Sequence, residues 1–520
     1  MTAICITKYD AICNLGNNID EIFETALTDG NEHLERDENF IKGKPFFFGK
    51  VHSNLEKISQ KEYDTRTNRL LCTLAKRMNL KNFVEKYGPE NVAIIIATTN
   101  SGAEEFAENG NEKLSQIGNP AIFMQNLLNT KNYTASISTA CSSGIKIFSS
   151  AKRLIKSGFC KAAIVGGSDA LAHLSVHGFN SLEILSNDKT QPFSKNRKGI
   201  NIGEGAALFT IEKNSCGIEI LGIGETSDAY HASKPEPSGK QIVNAVKTAL
   251  KSANLTEKDI DYINLHGTGT PANDETEATA MFKLFKNKTP CSSTKSMTGH
   301  CLGAAAAIET ALCCKCLEKN TLLKHVYDDD FDTNLPKINL VRKTTKKELK
   351  HVMNNAFGFG GTNAVMILGK PVFSVEKMLP HEFPMILIDE VVEVNLDKHF
   401  IKTKVKIKDT MPFFDKKLNG ISSVVGIEFM AQTIGCYSFL KRGENTAKMG
   451  FLLGTRIYNN AIEKFKNGKE YFIKSEEIYN DNEICAFGCQ IFDDKQEEIA
   501  CATINAYQPD NIEEMLKEDD

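Results

Sequence analysis

The chain has 520 residues, 41% of them hydrophobic and 25% charged, so it can bury sizeable cores and is not disordered. Its 62 Lys+Arg against 66 Asp+Glu leave a net charge of −4, too even for a general nucleic-acid binder. No apolar run is expected to reach the roughly 18 residues a membrane span needs, and the opening MTAICITKYDAICNLG lacks the basic and apolar regions of a secretory signal.

The first 370 residues alternate apolar strand-like runs with amphipathic helical stretches, the pattern of an α/β layered fold. Val92–Thr98 reads as a buried strand. Tyr133–Thr139 leads into a helix over 143–156. Ala162–Gly167, Ala206–Glu212 and Gly217–Gly222 are further strands. Gln241–Ala253 has helical periodicity, Ile260–Leu265 is a strand, and the Ala-rich Gly303–Leu317 is a close-packed helix. Val365–Leu368 closes the region. Gly369-Lys370-Pro371 marks the exit from a first domain, 1–370, and a connector runs over 371–377. A second domain, 378–510, alternates apolar and polar residues at His399–Lys408, Glu470–Tyr479, Glu483–Phe492 and Glu498–Tyr507, as half-buried antiparallel strands do. Among them Ser422–Leu440 is apolar on nearly every face, the mark of a helix buried inside a sheet. Residues 511–520 form an acidic tail.

Four segments of the first domain carry chemistry. Ser138-Thr139-Ala140-Cys141-Ser142-Ser143-Gly144 sets a thiol between a strand and a helix start, where free N–H groups and the helix dipole favour a thiolate. Leu265-His266-Gly267-Thr268-Gly269-Thr270 puts a histidine at a strand end. Lys295-Ser296-Met297-Thr298-Gly299-His300 precedes the Ala-rich helix. Asn355–Asn363 (NAFGFGGTN) reads as a glycine-dense loop that presents backbone N–H groups and one mobile ring. Taken singly, each segment has an ordinary structural reading. Together they supply a soft nucleophile for a thioester, N–H donors for an oxyanion and two imidazoles to polarise it.

These segments, with the opening ITKYDAICNLGNNIDEIFE, resemble the elongating β-ketoacyl-ACP synthases of the thiolase fold over residues 1–370. The resemblance implies a duplicated α-β-α-β-α layered domain with Cys141 in its first half and both histidines in its second. It implies Cys141 as the acyl-accepting nucleophile, and His266 and His300 as the decarboxylation and condensation pair. Lys295 orders the site and Glu309 supports it. Phe359 gates the acyl pocket, and its N–H joins that of Cys141 as an oxyanion hole, with Gly358 and Gly360 beside it. The domain is shorter than most elongating members, which puts the surface insertions of that family in question.

Met378-Leu379-Pro380-His381-Glu382-Phe383-Pro384-Met385, Gly426-Ile427-Glu428-Phe429-Met430-Ala431-Gln432 and Gly450–Arg456 resemble the α+β hotdog-fold 3-hydroxyacyl-ACP dehydratases. In that family a histidine and an acid from opposing subunits remove the α-proton and deliver water. Pro412–Gly420, where bacterial fatty-acid dehydratases keep their histidine, has none. The aryl polyene branch keeps the LPH histidine instead. The resemblance therefore implies His381 as base and Glu428 as acid or water-positioner. Val176–Glu183 and Pro192–Glu204 also lean toward aryl-polyene-type synthases.

The expected protein is a bifunctional condensing enzyme and dehydratase. Alternatives are an ordinary fatty-acid elongation enzyme, a synthase carrying a non-catalytic hotdog dimerisation or docking domain, and one carrying a hotdog thioesterase. No resident cofactor or metal is expected, since substrates ride on the phosphopantetheine of acyl carrier protein and no phosphate-cradling motif appears. Expected partners are acyl carrier protein, a second copy in a homodimer, a separate ketoreductase and, as a candidate, a chain-length-factor subunit. Fifteen cysteines, an odd count in apolar surroundings, fit reduced thiols in the cytoplasm. Cys313, Cys314 and Cys316 read as helix core rather than metal ligands. Cys485 and Cys489 share one strand face and need only burial to explain them. The basic stretch Arg342, Lys343, Lys346, Lys347 and Lys350 reads as a solvated loop, with a carrier-protein dock as its functional alternative.

Overall fold

A computed structural model describes residues 3–28, 30–213, 217–370, 375–396, 398–442, 447–481 and 483–509. They fall into two compact units, with the break after Lys370. The expected tail 511–520 and most of the expected connector lie outside the described residues. The connector's last residues are not linker: Val375–Met378 is a helical turn, and Val375 and Met378 are buried in the second unit's core.

The first unit is built on eleven strands: β1 (Ile4–Cys13), β2 (Val92–Ala97), β3 (Thr134–Ile137), β4 (Ala162–Asp169), β5 (Gly205–Lys213), β6 (Ile218–Ser227), β7 (Tyr262–Asn264), β8 (Pro290–Ser292), β9 (Asn339–Leu340), β10 (His351–Gly358) and β11 (Thr362–Gly369). Their order is β9-β8-β7-β10-β11-β6-β1-β5-β4-β2-β3. The two halves of this order repeat one another. From β1 outward the neighbours are β5, β4, β2 and β3, joined by two antiparallel and then two parallel pairings. From β6 outward β11, β10, β7 and β8 repeat that pairing sequence. The halves meet where Cys5 and Ile6 of β1 pair with Glu219 and Ile218 of β6. This is the duplication of the thiolase fold, and it is carried by topology alone, since the residue sequence shows no repeat.

The helices that matter are α1 (Arg66–Arg77), α2 (Ser143–Lys156), α3 (Lys240–Ala253), α4 (Pro271–Phe285) and α5 (Ala305–Lys319). The strands are apolar on both faces because both faces are covered. Along β2, Ala93, Ile95 and Ala97 join a core with α2 and α5, while Val92, Ile94 and Ile96 join another with α1. Along β10, Val352 and Ala356 belong to the α2–α5 core, and Met353 and Phe357 to a core with α3 and α4. The result is α-β-α-β-α layering, with α2 and α5 as the inner pair. Small residues let that pair close up. A Cβ on Gly144 would sit 2.6 Å from the Ala307 amide nitrogen and 3.0 Å from Ala306.

Expected elements are present with modest shifts. The Gly217–Gly222 strand runs on to Ser227, and the Ala-rich helix begins at Ala305 after a 3₁₀ turn over Leu302–Ala304. The glycine loop is shorter than expected. Asn355–Gly358 is the end of β10, so only Phe359–Gly361 leaves the sheet.

The second unit pairs six antiparallel strands in the order β12-β13-β15-β16-β17-β14. They are β12 (Glu390–Asn395), β13 (Phe400–Lys406), β14 (Phe451–Asn460), β15 (Glu470–Asn480), β16 (Ile484–Phe492) and β17 (Glu498–Tyr507). On β13 and β15, Ile401, Thr403, Val405, Tyr471, Ile473 and Ser475 alternate inward, as the sequence pattern requires. They cover α6 (Gly426–Arg442), which packs on β13, β15, β16 and β17 through Phe429, Met430, Ile434, Tyr437 and Leu440. This is a hotdog. Ser423–Arg442 is also 20 residues of apolar helix, long enough by composition to cross a membrane, contrary to the expectation that no such run exists. Its apolar side chains are instead spent on the sheet.

Candidate active sites

The duplication places the chemistry of the first unit. In each half the third strand leads into the inner helix. Cys141 lies on that connection in the first half, and Lys295 and His300 lie on it in the second. His266 follows the second strand of its half. The turn at Cys141 is tight: Ala140 takes a left-handed φ of 52°, and the Ser143 hydroxyl accepts from the Thr139 N–H at 2.8 Å. Thr362, just past the glycine turn, donates to the Thr139 carbonyl at 3.0 Å and lies 2.9 Å from the Ser142 hydroxyl, so the turn at Cys141 is tied to β11.

Cys141 Sγ lies 3.0 Å from His300 Nε2, and the ligand atoms of Cys141, His266 and His300 all fall within 4.8 Å of one another. His300 Nδ1 accepts from the Leu302 N–H at 3.2 Å. His266 Nδ1 faces the Lys295 ammonium at 3.4 Å, and that ammonium also donates to Glu309 Oε1 at 2.5 Å. With each Nδ1 occupied as an acceptor, the neutral rings carry hydrogen on Nε2. Both imidazoles are held neutral, their pKa pushed well down by burial and then by the Lys295 charge. The pair is therefore built to donate two N–H groups into the cavity. Burial raises the Glu309 carboxyl, and Lys295 opposes that rise.

One expectation is reversed. The helix start does not leave Cys141 a ready thiolate, because burial pushes its thiol up to about 11. The Lys295 charge and the backbone N–H groups of Phe359 and Cys141, both directed at the sulfur, offset only part of that rise. A second expectation also changes. Gly360 donates its N–H to the Ala232 carbonyl at 2.7 Å, so it is not an oxyanion donor. Gly358 serves by lacking a side chain: a Cβ there would lie 3.0 Å from the Thr139 carbonyl and 3.2 Å from the Cys141 nitrogen.

A cavity of about 350 Å³ opens over these groups, lined by Cys141, His266, His300 and Phe359, with Phe179, Leu182 and Ile184 as apolar wall. The spacing of thiol and imidazoles could span a tetrahedral metal. The Lys295 ammonium behind His266 sets a positive charge against one. Sequence reasoning missed three buried carboxylates. Glu277 accepts from the His266 and Gly267 N–H groups at 2.8 and 2.7 Å and is pushed up to about 7 by burial. Asp274 accepts from the Phe193 and Gly269 N–H groups. Asp169 ties Thr98, Thr99 and Asn100 to the Gly303 N–H in the 3₁₀ turn before α5. The available signal was acids on the apolar side of a helix and at the end of an apolar strand, each needing a partner. Cys313, Cys314 and Cys316 pack in the inner core. None of the five basic residues from Arg342 to Lys350 lines the cavity.

In the second unit His381 and Glu428 lie near each other within one chain, Nε2 to Oε1 3.8 Å. Glu428 is positioned from its own helix. Gln432, one turn on, donates to Oε1 at 2.8 Å and is itself held by the Leu387 N–H and the Met385 carbonyl, each at 2.8 Å. A cavity of about 150 Å³ holds both residues, with Ala431, Ile434 and Ile504 on its walls. Cys485 lines it too, so that thiol is not merely strand core.

Comparison with known proteins agrees with this division. Residues 28–216 match the N-terminal domain of β-ketoacyl synthases and 218–327 their C-terminal domain. The ketosynthase ApeO of Xenorhabdus doucetiae, solved in complex with its chain length factor ApeC, superposes with a TM-score of 0.69. It is 34% identical, over 71% of this chain and 98% of its own. The chain belongs to the β-ketoacyl synthase family. Its synthase region is 36% identical over 258 residues to 3-oxoacyl-[acyl-carrier-protein] synthase 2 of Coxiella burnetii, 46% of this chain and 62% of that relative. It is 34% identical over 244 residues to nodulation protein E of Rhizobium meliloti, 60% of that protein. The chain thus spans somewhat under two thirds of these relatives' length. A Staphylococcus aureus synthase 2 aligns over 98% of its length at 27% identity. Residues 373–517 match the ApeP dehydratases, so this synthase carries a dehydratase-family hotdog on the same chain.

Proposed function

We propose that the chain condenses carrier-bound acyl units at Cys141 and dehydrates a carrier-bound 3-hydroxyacyl chain at His381 and Glu428. The observation that carries the first half is the convergence of Cys141 Sγ with two imidazoles that present Nε2–H. Cys141 attacks the acyl thioester, and the carrier's pantetheine sulfur leaves with the proton that the thiol gives up. Malonyl thioester then loses CO₂. The electron pair of the broken C–C bond forms an enolate, whose oxygen receives the two Nε2–H groups. Its carbon attacks the acyl carbonyl. The oxyanion faces the N–H groups of Cys141 and Phe359, and the Cys141 sulfur leaves as a thiolate that takes back a proton from water.

The product is a 3-ketoacyl chain, and dehydration needs a 3-hydroxyacyl chain, so a ketoreductase must act between the two steps. His381 then takes the α-proton and Glu428 delivers a proton to the departing hydroxyl, releasing water and the trans-2-enoyl thioester. Gln432 occupies Oε1 of Glu428, which leaves Oε2 for the substrate. Repeated without enoyl reduction, the cycle builds conjugated double bonds, as in an aryl polyene. Substrates arrive on acyl carrier protein in the cytoplasm. The likeness to ApeO supports a chain-length-factor partner, and a second copy of this chain in a homodimer is the alternative.

Mass spectrometry of a 3-hydroxyacyl carrier protein incubated with the full chain tests the second half. Loss of one water is expected, absent in His381→Ala and Glu428→Ala. An unchanged substrate with the folded wild type would leave a synthase bearing a scaffold, and release of free acid would make the hotdog a thioesterase.

A further inference from the structure

Beyond the groups that face the cavity, one buried imidazole is wired to three of the segments that build the site. His325 is fully buried and lies on none of the motifs that identify the family. Its Nδ1 accepts from the Ser293 N–H at 3.0 Å, and its Nε2 lies 2.9 Å from the Pro192 carbonyl, which can only accept. Its ring packs on Phe193 and Tyr327, with centroids 5.8 and 5.0 Å away.

Both contacts lead inward. Ser293 donates its hydroxyl to the Gly267 carbonyl at 2.7 Å and accepts the Lys295 N–H at 3.3 Å. It therefore links the loop after His266 to the first turn that carries Lys295. On the other side, the Phe193 N–H donates to Asp274, which also accepts from Gly269 in the same loop. Gly267 lies between the two arms: a Cβ there would fall 2.6 Å from Ser293 Cβ and 3.0 Å from the Phe193 ring.

We infer that His325 is a positioning residue for the His266–Lys295 pair, acting as a neutral Nε2–H imidazole that clamps Ser293 to Pro192. The inference rests on the proposed condensing reaction. One N–H must be accepted and one carbonyl must be served, which an imidazolium, with two donors, cannot do. Burial pushes its pKa down to about 4, so the neutral form holds at neutral pH. A side-chain amide offers the same donor and acceptor side by side, whereas leucine fills the space and offers neither.

His300 is held separately, by the Leu302 N–H, and so the effect divides the reaction. Acyl transfer to Cys141 uses the sulfur, His300 and the N–H groups of Cys141 and Phe359. Malonyl decarboxylation also needs His266 in register. Both half-reactions are to be measured on the full chain with carrier-bound substrates, for wild type, His325→Leu and His325→Gln. The expected result is a fall of tenfold or more in the kcat of decarboxylation for His325→Leu, with acyl transfer within threefold of wild type, and recovery to within threefold in His325→Gln. Equal loss of both half-reactions, equal loss in both variants, or no loss in His325→Leu would overturn the inference.

If His325→Leu does not fold, Ser293→Ala replaces it. It removes the hydroxyl link and keeps the backbone, and the same selective loss is expected, with unchanged decarboxylation counting against the inference. A readout independent of activity is the ¹⁵N shift of His266 Nδ1. It should move in His325→Leu and return in His325→Gln. A wild type without decarboxylase activity would remove the condensing reading, while this shift would still decide whether His325 sets His266.

Discussion

At Cys141, burial and charge pull in opposite directions. The thiol is buried, which raises its pKa, while Lys295 and two backbone N–H groups lower it, and burial wins with a value of about 11. The resting chain thus holds Cys141 as a thiol, about one in a thousand ionised at pH 8. Alkylation of Cys141 by iodoacetamide, followed by peptide mass spectrometry, should climb about tenfold per pH unit from 7 to 10 and level only near 11. A plateau near pH 8 would show a stabilised thiolate and contradict this account. The sign of the linked stability follows. A raised pKa favours the protonated folded state, so that contribution is complete below the ordinary thiol value of 9 and is lost as pH rises through 11. The sequence disclosed the residue and its neighbours but not this balance, because burial from all sides is a property of the fold. For the same reason Glu277 stayed hidden: an acid in PANDETEA reads as solvated until α4 turns it onto the His266 loop.

Among the elements, the inner helix pair sets the distance between the two halves of the synthase site. α2 follows Cys141 and α5 follows His300, and they touch where Gly144 meets Ala306 and Ala307. Gly144→Ala would push a methyl group to 2.6 Å from a backbone nitrogen that cannot swing aside. The expected cost is about 1–3 kcal/mol in urea unfolding. Acyl transfer should fall by more than that loss of folded protein explains, because the 3.0 Å contact between Cys141 and His300 widens. Stability and acyl transfer both unchanged would mean the helices can part freely. The elements themselves were legible where apolar periodicity is strong, as in the Ala-rich helix and the four alternating strands of the hotdog. β14 was not legible, since its side chains lie mostly outward and carry no alternation. The duplication could not be read either. It resides in the repeated strand order, and the two halves have filled the same topology with different residues.

At the scale of the whole molecule, each site is assembled within one compact unit, from residues on one side of Lys370. His381 and Glu428 need no residue of the synthase, and Cys141, His266 and His300 need none of the hotdog. The two half-activities should therefore separate by single substitutions in the full chain. With acyl and malonyl carrier proteins, an added ketoreductase and NADPH, the wild type should yield the 2-enoyl carrier. His381→Ala should stop at the 3-hydroxyacyl carrier, one water heavier. Cys141→Ala should give no elongated product from those substrates, a loss of at least about a thousandfold, yet still dehydrate a supplied 3-hydroxyacyl carrier at the wild-type rate. Leaving out the ketoreductase should strand the wild type at the 3-ketoacyl carrier, which fixes the order of the steps. A Cys141→Ala protein unable to dehydrate, while still folded, would show that the hotdog depends on the synthase site, and the account of two self-contained centres on one chain would fail.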